Sequence, residues 1–197
     1  SIVTAVRHGR RVFANLRKAI VFVVAVHVPI VGLSILPVML GWPMLLMPVH
    51  ILFLQLIIDP ACSVVFEAEP LEADAMTARP RHPDARLFDR AVLVRGLWQG
   101  AGLLAILLAV YAGVRAVAGS DDMARAMTFM VLVLSNLGLI HVNRSWGRAL
   151  PGRPGEPNRH FGWIASATLA LLACVLVVPE GSRLFAFDRP PPLLLLA

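Results

Sequence analysis

Residues 19–40 read AIVFVVAVHVPIVGLSILPVML, and this stretch decides the fold. It contains no Asp, Glu, Lys or Arg. A helix of about 20 apolar residues is long enough to cross the ~30 Å hydrocarbon core of a bilayer, and a helix satisfies its own backbone polar groups there. The stretch therefore predicts a transmembrane helix, which we expect Pro29 and Pro37 to break.

The composition of the whole chain agrees with a membrane protein. Hydrophobic residues make up 58% of the chain and charged residues 15%, with a mean hydropathy of +0.75. Soluble domains are about 45–50% apolar and about 25% charged. We expect an all-α, polytopic transmembrane helical bundle with five full spans and the truncated start of a sixth. The predicted spans are 19–40, 44–66, 91–114, 126–142 and 161–178, and the sixth starts at residue 193.

The placement of the basic residues predicts the domain organisation and the orientation. Residues 1–18 are expected to form a cytoplasmic amphipathic stalk, and 19–197 a transmembrane transport domain. Lys and Arg concentrate in 1–18, 67–90 and 143–160, and positively charged loops stay on the cytoplasmic side. We therefore expect a multi-pass protein of the plasma membrane, embedded in the lipid bilayer, with its N-terminus in the cytoplasm. The net charge of +6 does not indicate nucleic acid, because the basic residues lie in short segments between apolar runs.

The second predicted span carries a carboxylate deep within an apolar run. Asp59 lies in LQLIIDPACS, residues 54–63, with Gln55 four residues before it and Ser63 four residues after it. Residues four apart share one face of a helix, and Pro60 is expected to free nearby backbone carbonyls. An acidic side chain inside a membrane marks a functional site by default. These hard oxygen ligands predict a metal cation site at Asp59 and Gln55; the alternative is an Asp that hydrogen bonds across the bundle to stabilise packing.

Two further polar side chains lie in the middle of predicted spans. His27 is in the first span and Asn136 in the fourth. Taken alone, each is better explained by a hydrogen bond between helices than by ion binding, but both are candidate cation-binding residues if they lie near Asp59. His50 lies close to the start of the second span and is expected to be interfacial.

Four segments resemble those of a known family. Residues 9–18, GRRVFANLRK, resemble the stalk that enters the fifth transmembrane helix of cation-transporting P-type ATPases. Residues 48–59, PVHILFLQLIID, are similar to their sixth helix. EAEP at 67–70 and MTARPR at 76–81 resemble the cytoplasmic loop that follows. The order and spacing of these motifs make the resemblance specific. It extends more weakly through the rest of the chain, which would then hold the fifth to ninth helices and the start of the tenth.

The resemblance implies an ATP-driven pump that holds cations between its membrane helices. Calcium-pump-like members use carboxylate, amide and hydroxyl ligands from the fifth, sixth and eighth helices. Carried over by position, the Asp ligand is kept as Asp59 and the sixth-helix Asn becomes Gln55, while the remaining ligand positions fall on Ile58, His27, Ile30 and Asn136. One acidic ligand therefore remains, which implies at most one cation site. The identity of the transported cation stays open, with Ca²⁺ among the candidates.

The family's DKTGT, TGES and GDGxND motifs do not occur in this sequence. Without them no catalytic residue is expected here, and ATP and Mg²⁺ would bind in missing cytoplasmic domains of the same pump. We therefore expect a fragment: the ion-binding membrane portion of a P-type ATPase, whose partners are the missing N-terminal helices and cytoplasmic domains. The alternative is a non-catalytic membrane protein that packs against or regulates a pump. A secondary transporter is disfavoured, because the two halves of the chain show no inverted repeat.

Overall fold

The structure is a computed structural model, and it describes residues 2–71, 76, 87–144 and 158–187. Across these residues the regular structure is helical and contains no strand. Five helices there are long and apolar enough to cross a membrane, which confirms the all-α multi-pass fold. The helices are α1 (Ile2–Met39), α2 (Pro48–Pro60), α3 (Arg90–Ala118), α4 (Asp121–Arg144), α5 (Arg159–Val177) and the short α6 (Pro179–Leu184).

Several predicted features lie outside the described residues. They include the start of the sixth span from residue 193, most of the motif at 76–81, and most of the loop between α4 and α5. The described spans are close to the predicted ones, and α3 and α4 extend beyond the predicted ends at both termini. The helix α6 lies between the predicted fifth span and the predicted start of the sixth.

The helix α1 joins the predicted stalk and the first span without a break. Pro29 and Pro37 lie inside it, so the prediction that they break the helix is wrong. Both prolines are buried in the bundle. A membrane helix tolerates a proline because neighbouring helices satisfy the backbone groups that the missing hydrogen bond leaves free.

The helix α2 begins four residues later than the predicted span. Pro48 occupies the first turn, and Met47 before it is extended with φ −83° and ψ 163°. Proline favours this position because its missing N–H would have no helical partner there anyway. The turn between α1 and α2 passes through Gly41, whose φ of +70° is a conformation that a side chain disfavours.

Two glycines allow α1 and α3 to approach closely. A Cβ atom built on Gly96 would lie 2.8 Å from the Cβ of Val24, and one built on Gly100 would lie 2.6 Å from the Cβ of Val28. Small residues four apart are typical of tightly packed membrane helices. The two glycines place α3 directly against α1, which also packs against α4.

Polar contacts join the helices at both ends of the bundle. At the end where α1 begins, here called the stalk end, Arg17 pairs with Asp89 at 3.6 Å, and Asn143 donates to Gln99 at 2.8 Å. At the opposite end, here called the hairpin end because it holds the turn at 40–47, Arg125 donates to the main-chain oxygen of Met44 at 3.3 Å. These contacts fit long helices that alternate in direction.

Candidate cation site

Asp59 and Gln55 lie one turn apart on one face of α2. Asp59 is exposed and Gln55 is half-buried. The same face carries Leu52 and Leu56, which are 70% and 63% exposed. Within the described residues the Asp59 carboxylate has no hydrogen bond or ion pair. The described part of the chain thus leaves this carboxylate without a partner of its own.

The helix changes its winding directly after Asp59. A π-helical turn, Ala61–Phe66, follows Pro60, whose missing N–H and bulky ring disturb the preceding turn. Such π turns often occur at functional sites in helices. The Ser63 hydroxyl donates to the main-chain oxygen of Asp59 at 2.8 Å. The main-chain oxygen of Asp59 is therefore occupied, while its carboxylate stays available to a ligand.

A cavity of about 470 Å³ lies between α1 and this π-helical turn. Cys62, three residues after Asp59 in the sequence, is part of its wall. Its lining is polar toward the stalk end and apolar toward the membrane. It consists of His8, Arg11, Val12, Asn15, Leu16, Ala19, Cys62, Phe66 and Glu67.

His27 is half-buried on α1, and no described contact joins it to Asp59 or Gln55. Its Nδ1 donates to the main-chain oxygen of Val23 at 2.8 Å. Because a carbonyl can only accept, the Nδ1 carries the proton in this contact, and Nε2 has no described partner. The side chain lines an apolar groove of about 520 Å³ whose wall consists of α1 residues.

Asn136 lies fully buried in α4, at 0% exposure. Neither its Nδ2 nor its Oδ1 has a hydrogen-bond partner among the described residues. An unpaired buried polar group costs about 1–3 kcal/mol, so a buried amide of this kind calls for an explanation. The expected hydrogen bond between helices is not found for Asn136 in the described part of the chain, which leaves its oxygen free for a ligand.

The predicted environment of His50 is wrong. It was expected to be interfacial, but its exposure is 0%. Its ring centroid lies 4.9 Å from that of Phe129, 5.1 Å from Phe185 and 5.3 Å from Phe187. The last two rings come from the segment after α6, which was not foreseen as ordered structure. Nothing in the local sequence signals that this segment packs against the start of α2.

Arg125 was also missed, because it lies in a loop according to the predicted spans. The structure places it in the first turns of α4 at 7% exposure. It pairs with Asp122 at 2.6 Å and donates to the main-chain oxygen of Ala186 at 3.0 Å. The arginine therefore connects three segments at the hairpin end: the start of α4, the turn at 40–47 and the segment after α6.

Comparison with known proteins agrees with this architecture. Residues 43–197 match the family described as "Cation transporting ATPase, C-terminus". A calcium-transporting ATPase of Bacillus cereus is 26% identical over 203 residues, covering 94% of this chain and 22% of the relative. A calcium-transporting ATPase of Listeria monocytogenes is 30% identical over 187 residues, covering 93% of this chain and 20% of the relative.

A potassium-transporting ATPase matches a smaller part of the chain. The alpha chain 2 of a potassium-transporting ATPase of Oryctolagus cuniculus is 31% identical over 118 residues, covering 57% of this chain and 11% of the relative. The chain thus spans about a fifth of the length of the calcium-transporting relatives it matches.

Proposed function

The chain belongs to the family of cation-transporting ATPase C-terminal domains, and on that premise we propose that Asp59 is the central ligand of a transported cation. The chain is the membrane portion of a P-type cation transporter, a bundle of apolar helices. In the proposed site Gln55 supplies a second oxygen from the same face of α2. His27 and Asn136 contribute from neighbouring helices when the ion is bound.

The observation that carries the proposal is the Asp59 carboxylate, which has no partner among the described residues and lies on a helix face with Leu52, Gln55 and Leu56. An ionised carboxylate facing hydrocarbon costs several kcal/mol, and acidic residues in spans therefore face a bundle interior or a cavity. Leu52 and Leu56 lie on the same face and are more than half exposed, so this face as a whole is open to contact with lipid or with other helices. We infer that further helices of a longer protein lie against this face and enclose Asp59.

Asn136 supports the proposal independently of Asp59. Its side chain is buried and unpartnered within the described residues, so its oxygen can coordinate an ion without breaking another bond. His27 can offer Nε2, because its Nδ1 is already bonded to Val23. The oxygens of Asp59, Gln55 and Asn136 are hard ligands that suit Ca²⁺ better than a soft transition metal.

The ligand set favours a single ion. One carboxylate and neutral side chains give a site with a charge of −1, and affinity for a hard divalent cation rises with the number of charged ligands. The relatives from Bacillus cereus and Listeria monocytogenes are named as calcium transporters. Ca²⁺ is therefore the first cation to test, and we expect one ion to be bound.

The remaining functions of the pump lie outside this chain in our proposal. ATP hydrolysis with Mg²⁺ and phosphorylation would take place in cytoplasmic domains of the longer protein. The concentration of Lys and Arg in 1–18, 67–90 and 143–160 supports a cytoplasmic stalk end. We propose that the protein lies in the plasma membrane, with the stalk end in the cytoplasm and the hairpin end on the outer side.

The test is Asp59→Asn in the intact pump, assayed by cation-dependent phosphorylation from ATP. Removing the one formal charge of the site should lower the apparent affinity for the cation by at least about 100-fold. The matched control is Glu180→Gln, which neutralises an exposed carboxylate in α6 at the hairpin end and should leave phosphorylation unchanged. Unchanged cation dependence in Asp59→Asn would remove Asp59 from the site.

A further inference from the structure

A small crevice lies between α1 and the start of α3 at the stalk end. It has a volume of about 240 Å³ and is lined by Arg17 of α1 and by Ala91, Val92 and Arg95 of α3. Pockets for drug-sized ligands have about 300–1,000 Å³, so this crevice suits a smaller group. Guanidinium groups bind phosphate and carboxylate oxygens through charge-assisted hydrogen bonds. The crevice therefore has the size and the charge to hold a small anionic group.

Arg17 keeps donors available to such a group. Its Nε is buried and has no hydrogen-bond partner among the described residues. Its Nη2 lies 3.6 Å from the Asp89 carboxylate, which is beyond the usual length of a hydrogen bond. Arg17, Arg95 and Asp89 together carry a charge of +1, so Asp89 does not cancel the attraction for an anion. A phosphate oxygen in the crevice would supply the acceptor that the Nε of Arg17 lacks.

The surface of α3 next to the crevice is apolar and exposed. Val94, Leu97 and Trp98 are all exposed, and Trp98 is 76% exposed. Trp98 lies three residues after Arg95, which is about 4.5 Å further along the helix and on the same side of it. Tryptophan is enriched at the boundary between membrane and water. The crevice thus opens where α3 enters the membrane, beside a surface that suits acyl chains and offers nothing to a free anion.

We propose that this crevice binds the phosphate group of an anionic phospholipid. Arg17 and Arg95 are its cationic ligands, and an acyl chain lies along Leu97 and Trp98. Anionic lipids attract arginines near the membrane surface, whereas the ammonium group of a zwitterionic lipid would be repelled by the two guanidinium groups. Because the arginines belong to different helices, the bound lipid connects α1 to α3. A ligand that binds only the folded protein stabilises it, so the lipid should stabilise the bundle.

The first test counts lipids on the intact protein by native mass spectrometry, without ATP or a transported cation. Arg95→Gln should lose one retained phosphatidylglycerol molecule, with an affinity about tenfold lower at this site because a charged ligand is removed. The matched control is Arg159→Gln, which neutralises an exposed arginine at the start of α5 at the same end and should lose none. Equal retention of phosphatidylglycerol by the unmodified protein and Arg95→Gln would overturn the site, as would an equal loss in both variants.

A second variant fills the crevice and leaves the charge unchanged. Ala91 is exposed and lines the crevice, so Ala91→Leu should narrow it without removing an arginine. We expect the same loss of one phosphatidylglycerol molecule as in Arg95→Gln. Thermal unfolding in detergent gives an independent value: added phosphatidylglycerol should raise the Tm of the unmodified protein more than that of Ala91→Leu. Normal lipid retention and a normal rise of Tm in Ala91→Leu would mean that charge alone attracts the lipid, and would overturn the crevice as its site.

Inorganic phosphate and phosphatidylcholine distinguish the anionic lipid from other occupants. In the same detergent, millimolar inorganic phosphate should not displace the retained phosphatidylglycerol, because it cannot use the apolar surface at Leu97 and Trp98. Displacement that depends on Arg95 would assign the crevice to a free anion and overturn the lipid site. Phosphatidylcholine retained as well as phosphatidylglycerol would overturn the preference for an anionic headgroup. No cation or ATP is used, so these results do not depend on the proposed role of Asp59.

Discussion

On one face of α2 the side chains of Phe53, Leu54 and Ile57 are buried against the rest of the bundle, whereas on the opposite face Leu52 and Leu56 are mostly exposed. The buried face is apolar apart from His50 in the first turn, and the open face carries Asp59. The other described helices cover the first face of α2, whereas no described residue covers the second. The difference separates the face of α2 that packs in the bundle from the face that carries the proposed ligand Asp59.

This division has a physical basis. Packing of apolar side chains fixes where a membrane helix lies, because interiors are densely packed and voids are costly. A carboxylate contributes nothing to that packing and is costly in hydrocarbon. It is therefore kept where it meets an ion or a ligand that compensates its charge. Substitutions on the two faces should accordingly affect different properties of the protein.

The largest difference in stability is expected between Leu54→Ala and Leu56→Ala. Leu54 is 0% exposed and Leu56 is 63% exposed, although the two lie two residues apart on the same helix. Truncation of the buried leucine should cost about 3 kcal/mol through lost packing, and truncation of the exposed one less than about 0.5 kcal/mol. Unfolding of the chain in mixed detergent micelles measures both. Equal losses would mean that the two faces are packed alike.

Substitution of Asn136 should have a smaller effect, and it should lower cation affinity without lowering stability. Asn136→Leu removes an amide that is buried without a partner among the described residues, so the free energy of unfolding should stay the same or rise. Cation affinity should nevertheless fall about tenfold if the amide oxygen is a ligand, which corresponds to about 1.4 kcal/mol. Unfolding in detergent and cation-dependent phosphorylation of the intact pump give the two values. A destabilised variant with normal affinity would make Asn136 a packing residue only.

The fold could be predicted from the sequence because membrane spans are a matter of length and composition. Each long described helix coincides with an apolar run. In hydrocarbon such a run forms a helix, because a helix satisfies its own backbone hydrogen bonds. The predictions were wrong where helix boundaries and continuity depend on individual residues or on packing between helices. Pro48 sets the start of α2, packing holds α1 together at Pro29 and Pro37, and α6 is too short and polar to give a hydropathy signal.

The candidate site could be predicted only as far as one helix. The spacing of Gln55, Asp59 and Ser63 gives their common face, since periodicity is a local property. Exposure is not local, so the open face of α2 and the burial of Asn136 required the structure. The same holds for a hydrogen bond at the stalk end, which the Nδ2 of Asn15 donates to the main-chain oxygen of Glu69, 54 residues away in sequence. No pattern within either segment indicates that they meet.

The central claim, that Asp59 binds the transported cation, is tested most directly by equilibrium binding to the intact pump without ATP. The measurement uses a radioactive isotope of the cation that supports phosphorylation, and compares the unmodified protein with Asp59→Asn. The account predicts one ion per protein in the first case and none at the same concentration in the second, because the one formal charge among the proposed ligands is lost. Equal binding by both proteins would contradict it.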